Sequence, residues 1–486
     1  MNYSIERANE FIKNNDINEK YYPKLNYAAP VGWLNDPNGV SFFNGKYHLF
    51  YQYYPYDSKW GPMHWGHSIS EDGINWDDQG VALAPDQSYD KDGCFSGSAI
   101  EKDGKLYLMY TGHLDNGSEF LKRENQNIAV SEDGVNFVKY ENNPVIDEKL
   151  LPEGTAVQDF RDPKLFEKDG LYYCIIGARD TENSGQVLLY KSHDLFEWEF
   201  VSVVLEKSKY LGSMAECPDI MFFEDRVVLV ISAMDYHDNR TNKTYPHLTL
   251  MLEGKFDWET YKFEVNDTRV MDYGLDFYAP QSARESSGKY LFTAWNQAWN
   301  RTYPTDVYRH GWNGQMTVPR QLYEQDGLLK QSFHPKVLDK IESLYQSEKA
   351  LVEDIKLNEL NNIQYLSFEI DSKDSFKFEF GNNTNEKHIY LTFMENKIIF
   401  SRENTDEIIY DAEGREVSQS EMMLSDELSE VKFDILLDRS SIQIIVNNYD
   451  AMSSTFYLDL PINQIKYSTN NSNSMLTNIL VGTFNK

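Results

Sequence analysis

Along most of this chain apolar and polar residues alternate in short runs rich in Tyr, Phe, Ile and Val. Turns built on Gly, Asp and Asn separate the runs, which is the pattern of half-buried strands. The runs come in pairs. One pair reads Gly39-Val-Ser-Phe-Phe-Asn-Gly-Lys-Tyr-His-Leu-Phe-Tyr51, and another reads Ser98-Ala-Ile-Glu-Lys-Asp-Gly-Lys-Leu-Tyr-Leu-Met-Tyr110. A third is Lys164-Leu-Phe-Glu-Lys-Asp-Gly-Leu-Tyr-Tyr-Cys-Ile-Ile176, and weaker copies lie at 220–231 and 282–294. Asn-Gly and Asp-Gly between β-rich flanks predict tight hairpins. A second unit follows each of the first three pairs: Ser70-Glu-Asp-Gly-Ile-Asn-Trp76, Ser131-Glu-Asp-Gly-Val-Asn-Phe137 and Ser192-His-Asp-Leu-Phe-Glu-Trp198. A looser fourth copy is Glu253-Gly-Lys-Phe-Asp-Trp258. The closing aromatic recurs about every 60 residues. Five β-units at that period predict an all-β fold, a five-bladed β-propeller over residues 21–330, rather than a linear solenoid with shorter and more uniform repeats.

The pattern changes at both ends. Ile5, Ala8, Phe11 and Ile12 make one apolar stripe at helical spacing, so residues 1–20 are expected as a helical segment. His334-Pro-Lys-Val-Leu-Asp-Lys-Ile begins a partly helical linker over 331–345. From 346 to 486 short alternating strands, such as Lys387–Met394 and Ser441–Val446, are parted by Asn-rich turns. That spacing predicts a C-terminal β-sandwich domain, read as a structural buttress rather than a sugar-binding module.

Composition narrows the function classes. The chain has 486 residues, 41% hydrophobic and 14% aromatic, enough for more than one folded domain. A formal charge of −31 argues against nucleic acid and an anionic membrane as partners. It also means that a phosphorylated substrate would need a local basic site. The three cysteines, Cys94, Cys174 and Cys217, form no CxxC pair, so neither a disulfide framework nor a metal site is expected, and no cofactor motif is present. The first residues lack the apolar core of a signal peptide, which points to a cytoplasmic protein. Oligomeric state is open.

The repeat shows which residues share a place in space. Just before each hairpin stand Asn35-Asp36-Pro37, Phe95-Ser96-Gly97, Arg161-Asp162-Pro163, Glu216-Cys217-Pro218 and Phe277-Tyr278-Ala279-Pro280. In a propeller the first strand of each blade lines the axis, so these segments form a ring at one end of the channel, and Asp36, Asp162 and Glu216 are expected at equivalent positions. Any one Asp-Pro is a good turn sequence by itself. Three acids crowded at a channel mouth are a costly choice for turns alone, and a carboxylate cluster in a concave site is the seat of acid–base chemistry. Glycoside hydrolysis needs two carboxyl groups, one as acid and one as nucleophile or base, and a third can hold sugar hydroxyls. Rival chemistries have less support: Gly93-Cys-Phe-Ser-Gly97 lacks the spacing of a nucleophile elbow. His64 and His67, on a predicted strand, would point to different faces.

These segments resemble glycoside hydrolase family 32, the invertases, inulinases and sucrose-6-phosphate hydrolases. The residues carrying the resemblance are Trp33-Leu-Asn-Asp-Pro-Asn-Gly39, Gln52-Tyr-Tyr-Pro55, Trp65-Gly-His-Ser68, Phe95-Ser-Gly-Ser98, Phe160-Arg-Asp-Pro163, Glu216-Cys-Pro-Asp219 and Asp272-Tyr-Gly-Leu-Asp-Phe-Tyr278. It runs in order across most of 20–325. It implies a retaining β-fructofuranosidase in which Asp36 is the nucleophile, Glu216 the acid/base and Asp162 the stabiliser of the oxocarbenium-like transition state. It further implies a sugar pocket of Asn35, Gln52, Trp60, Phe95, Ser96, Arg161 and Trp295, with Cys217 tuning the adjacent acid. Retention predicts about 5–5.5 Å between the carboxyls of Asp36 and Glu216. The expected substrates are sucrose, sucrose 6-phosphate and short fructo-oligosaccharides. The alternatives are a fructosyltransferase on the same three acids, an inverting glycosidase on the same propeller, and a sugar-binding propeller without catalysis.

Overall fold

The computed structural model describes residues 3–238, 242–350, 364–424, 429–469 and 474–484. The chain is nearly all β and forms two compact units that do not divide at a single point in sequence. The first holds Met1–Asp16, Ala29–Val270 and Tyr278–Trp295; the second holds Ile17–Ala28, Met271–Phe277 and Asn296–Lys486.

The first unit opens with helix α1 (Ile5–Lys13), capped by Ser4 Oγ, which accepts the Arg7 N–H. Four antiparallel sheets then follow one another in sequence. They are β1 (Gly32–Phe43), β2 (Lys46–Tyr54), β3 (His64–Ser70) and β4 (Asp77–Leu83); β5 (Gly93–Lys102), β6 (Lys105–Leu114), β7 (Arg123–Ser131) and β8 (Val138–Lys139); β9 (Thr155–Lys168), β10 (Leu171–Asp180), β11 (Gly185–Ser192) and β12 (Trp198–Glu206); and β13 (Met214–Phe222), β14 (Val227–Asp238), β15 (Lys243–Asp257) and β16 (Lys262–Val270). Within each sheet, strands consecutive in sequence are neighbours. A further hairpin joins β17 (Tyr278–Arg284) to β18 (Tyr290–Trp295).

The turn chemistry accounts for the register. Asn44-Gly45, Asp103-Gly104 and Asp169-Gly170 all have positive φ, the requirement of a two-residue primed turn. The residues flanking them pair directly: Phe43 with Lys46, Lys102 with Lys105, and Lys168 with Leu171. The second repeat is a serine–aspartate turn. Asp72, Asp133 and Asp194 each accept two backbone N–H groups through Oδ1, while Ser70, Ser131 and Ser192 accept a third. Gly73 and Gly134 take the left-handed position of that turn, and Leu195 takes it at φ 79° in the third copy. Cores lie between successive sheets, as where Ile175 and Leu189 meet Ile220, Leu229 and Leu252. Trp198 and Trp258 belong to such packing.

In the second unit a six-stranded and a five-stranded sheet enclose one core rich in phenylalanine, including Phe368, Phe376, Phe378, Phe393 and Phe433. The strands Ser441–Val446 and His388–Met394 fall where the alternation placed them. Residues 331–345, expected as a linker, instead carry the end of strand Leu328–Phe333, one helical turn Pro335–Leu338 and the start of strand Ile341–Ala350. Among the described residues no helix is long and apolar enough to cross a membrane.

Candidate active site

The site begins with a flaw in the ladder that five strands share. Pairing of β1, β5, β9, β13 and β17 with the next strand is interrupted between Leu34 and Pro37, Phe95 and Gly97, Arg161 and Lys164, Glu216 and Asp219, and Tyr278 and Gln281. In three of the five a proline (Pro163, Pro218, Pro280) stands inside the break, and in a fourth Pro37 closes it; none has an N–H to give the ladder. The fifth has Gly97, where a Cβ would lie 1.9 Å from the Met109 carbonyl oxygen. Such bulges re-aim a side chain. The bulged residues are Asp36, Ser96, Asp162, Cys217 and Ala279, and φ is positive at Asp162 (64°), Cys217 (44°) and Ala279 (50°). A small cavity is lined from all five strands, by Pro37, Ser96, Asp162, Cys217 and Ala279 among others.

This frame corrects one detail of the sequence reading. Asp36 and Asp162 are equivalent, but their counterpart on β13 is Cys217. Glu216 stands one residue earlier, level with Asn35, Phe95, Arg161 and Tyr278. The side chains still converge. Ser96 Oγ donates to Asp36 Oδ2 at 3.1 Å, and Cys217 Sγ lies 3.6 Å from Asp36 Oδ2 and 3.5 Å from Asp162 Oδ2. The Cys217 backbone N–H donates to the same Asp162 oxygen at 2.9 Å. The thiol expected to tune Glu216 therefore sits between the two aspartates. Glu216 is held from both sides: Arg161 Nη2 donates to Oε1 at 2.8 Å and Tyr278 OH to Oε2 at 2.7 Å.

Burial dominates the electrostatics. Asp36 is pushed up to about 6, first by loss of solvent and then by the Glu216 charge, against the opposing Asn35 and Ser96 side chains. Its Oδ1 accepts no hydrogen bond. Asp162 is pushed up to about 7 by burial, with Arg161 pulling it down and Glu216 adding to the rise. Burial and the three acids drive the Cys217 thiol well above its ordinary value, so it remains a neutral donor. Among the described residues no group of three or more His, Cys, Asp or Glu is placed to hold a metal ion.

The remaining expected residues divide into two sets. Asn35 is buried, with Oδ1 accepting Trp33 Nε1–H at 2.7 Å, and Gln52 is buried with Nε2 donating to the Cys94 carbonyl at 3.0 Å. Phe95 stacks on His113 (4.2 Å between centroids, 9° between planes), and Trp60, 47% exposed, meets Phe95 edge-on at 6.0 Å. Trp295, expected at the sugar, is fully buried, 5.9 Å from the partly exposed Trp33, so its ring offers no free face. Sequence reading missed Tyr278 as a side chain of the site and missed Glu124. The carboxylate of Glu124 takes the Phe160 N–H at 2.7 Å and Arg161 Nη1 at 3.3 Å. Tyr278 was within reach, since it stands in the frame of Glu216 one repeat later. Glu124 lies on a third strand, where nothing in the repeat marked it.

The chain is similar to known proteins along nearly its whole length. The family model described as Glycosyl hydrolases family 32 N-terminal domain matches residues 27–333. A raffinose invertase of Escherichia coli is 33% identical over 465 residues, covering 94% of each chain. A sucrose-6-phosphate hydrolase of Zymomonas mobilis is 33% identical over 461 residues, covering 89% of this chain and 85% of the relative. Among solved structures, a Bombyx mori GH32 β-fructofuranosidase superposes with a TM-score of 0.85 at 28% identity, covering 99% of this chain and 98% of that one. A mutant of the same enzyme was solved in complex with sucrose.

Proposed function

The chain belongs to glycosyl hydrolase family 32, and on that premise we propose that it is a retaining β-fructofuranosidase whose chemistry is carried by Asp36, Glu216 and Asp162. Asp36 attacks the anomeric carbon of a terminal β-D-fructofuranosyl unit while the bond to the leaving oxygen breaks. Glu216 gives that oxygen its proton. Glu216 then takes a proton from water, the water oxygen displaces Asp36, and both groups return to their starting states. Asp162 holds fructose hydroxyls and opposes the positive charge that develops on the ring. Asn35, Gln52, Ser96 and Arg161 line the fructose site, and Phe95 and Trp60 form its aromatic rim. The four sheets and the β17–β18 hairpin are read as blade units of a five-bladed propeller around the shared cavity.

One observation carries the reading: two buried aspartates bridged by the Cys217 thiol stand beside a glutamate held by an arginine, at the bulges of neighbouring strands. Asp36 offers a carboxylate oxygen without a partner, as a nucleophile requires. The substrate class is sucrose, its 6-phosphate or short fructo-oligosaccharides, in line with relatives named invertase and sucrose-6-phosphate hydrolase. The test is a kinetic comparison of sucrose, sucrose 6-phosphate and 1-kestose, with NMR of the first fructose released. β-Fructofuranose as first product establishes retention, whereas the α-anomer or inactivity on all three sugars overturns the proposal. A kcat/KM about tenfold higher for one sugar, about 1.4 kcal/mol in transition-state binding, identifies the substrate.

A further inference from the structure

Tyr278 takes no part in the steps carried by Asp36, Glu216 and Asp162. Its ring is 1% exposed, a site a phenylalanine would fill as well, yet its hydroxyl touches the group assigned as acid/base. Two acceptors lie within reach of that hydroxyl: Glu216 Oε2 at 2.7 Å and the Ser232 carbonyl at 3.2 Å. A phenol has one proton to give and lone pairs with which to accept. The second acceptor is fixed by the fold. Ser232 pairs with Glu216 across β13 and β14, and its Oγ accepts the Ala279 N–H at 3.1 Å, tying β14 to β17.

We propose that Tyr278 is a positioning residue for the acid/base, a hydroxyl that turns between two acceptors as Glu216 loses and regains its proton. With Glu216 ionised, the Tyr278 O–H donates to Oε2. With Glu216 protonated on Oε2, that proton is donated to the Tyr278 oxygen, and the tyrosine proton turns to the Ser232 carbonyl. The proton that Glu216 exchanges with the leaving oxygen and with water is its own; the tyrosine keeps its proton, and no buried oxygen of the pair loses its partner in either charge state. The carboxyl thus keeps one orientation while its charge changes, with Arg161 on Oε1 throughout. Burial and the Glu216 charge hold the phenol well above its ordinary value, so it stays a donor. The titratable and charged groups around the pair are Arg161 and Asp162 from β9, Asp36 from β1, Cys217 beside Glu216 on β13, and the His247 ring from β15. That ring is edge-on to Tyr278 at 5.3 Å.

The proposal rests on Glu216 being the acid/base. A bond to the carboxylate is charge-assisted and stronger than its neutral counterpart, so its loss penalises the ionised form most. Tyr278→Phe should therefore move the basic limb of the kcat/KM profile on the active substrate to higher pH by about one unit. It should also lower the plateau by about 10- to 100-fold. A purely structural role predicts a lower plateau with the limb unmoved, which overturns the proposal, as does wild-type behaviour. If the variant fails to fold, neutron diffraction of the unaltered protein at two pH values either side of that limb reads the rotor directly. The Tyr278 deuteron should point to Oε2 on the alkaline side and to the Ser232 carbonyl on the acid side; a single orientation at both overturns the proposal. Loss of turnover in Glu216→Gln with an unmoved limb in Tyr278→Phe refutes the rotor alone. Undiminished turnover in Glu216→Gln refutes the assignment beneath it.

Discussion

Asp36 and Asp162 in the first unit and Asp272 and Asp276 in the second are all buried, and the two pairs are furnished in opposite ways. In the second unit Asp272 receives the Gly274 and Ser453 N–H groups on Oδ1, and Arg320 and the Ser453 hydroxyl on Oδ2. Asp276 receives Tyr303 OH on one oxygen and Arg402 with two groups of Thr455 on the other. All four carboxylate oxygens are satisfied, and each acid faces a buried arginine. In the first unit Asp36 keeps a bare oxygen, and the direct partners of its other oxygen are a hydroxyl and a thiol. Arg161 does not bond the aspartates; its guanidinium is spent on Glu216, Glu124 and Asp159. A satisfied buried acid is a rivet, while an unsatisfied one is held ready for a ligand.

Breaking each pair should therefore have opposite consequences. Asp36→Ala or Glu216→Gln should lower turnover of the active substrate by more than about a thousandfold and leave the melting temperature within a few degrees of the parent. Near-parental turnover in either variant would sink the assignment. Asp272→Ala should do the reverse, because it strands Arg320 without a counter-charge in a fully buried site. Breaking such a pair from one side costs about 3–5 kcal/mol. Denaturant unfolding measures the loss, and a loss under about 1 kcal/mol would show that the pair is not a rivet.

A smaller effect has the opposite sign. Asp162 has a folded-state value of about 7 against an ordinary 3.8, so the folded form holds the proton more tightly than the unfolded chain. Its contribution is fully present below about pH 4 and is lost as pH rises through about 7. Asp162→Asn removes this penalty, and asparagine tolerates the left-handed backbone at φ 64°. The variant should be inactive yet more stable at neutral pH by on the order of 2–4 kcal/mol, with the advantage vanishing in acid. A constant difference at all pH values would mean that charge is not its origin.

The comparison also separates what sequence could and could not convey. Asn44-Gly45, Asp103-Gly104 and Asp169-Gly170 announced their hairpins because a primed turn admits few other residues. The Asp-Pro and Cys-Pro pairs marked the bulges for the same local reason, and counting from the prolines would have revealed the one-residue offset of Glu216. The rivets were illegible. Asp272 finds Arg320 and Ser453 at separations of 48 and 181 residues, and no local pattern records such a pairing. The Asp272–Tyr278 stretch consequently read as one motif, although Met271–Phe277 belongs to the second unit and Tyr278 to the first. The complete burial of Trp295, with Trp33 tilted against it, was not legible either, because its type and not its neighbours is visible in the sequence. Whether an aromatic lines a pocket or backs one depends on packing across strands.

The gentlest perturbation probes how little separates a reactive acid from a rivet. Ser96 provides Asp36 with a hydrogen bond at 3.1 Å, and that bond lowers the carboxyl against the pull of burial. Asp162 and the nucleophile must both be ionised, so kcat/KM should begin to fall as pH drops through about 7 and fall more steeply below about 6, where Asp36 takes up its proton. Ser96→Ala takes away a donor that favours the charged form, and the acidic limb should move to higher pH by about half a unit. Ser96→Thr keeps the hydroxyl and should leave the limb where it was. A limb displaced equally by both substitutions would trace the effect to altered packing at the bulge. A limb displaced by neither would mean that the serine hydroxyl is redundant for the charge on Asp36, and the contrast with Asp272 would then rest on the unpartnered Oδ1 alone.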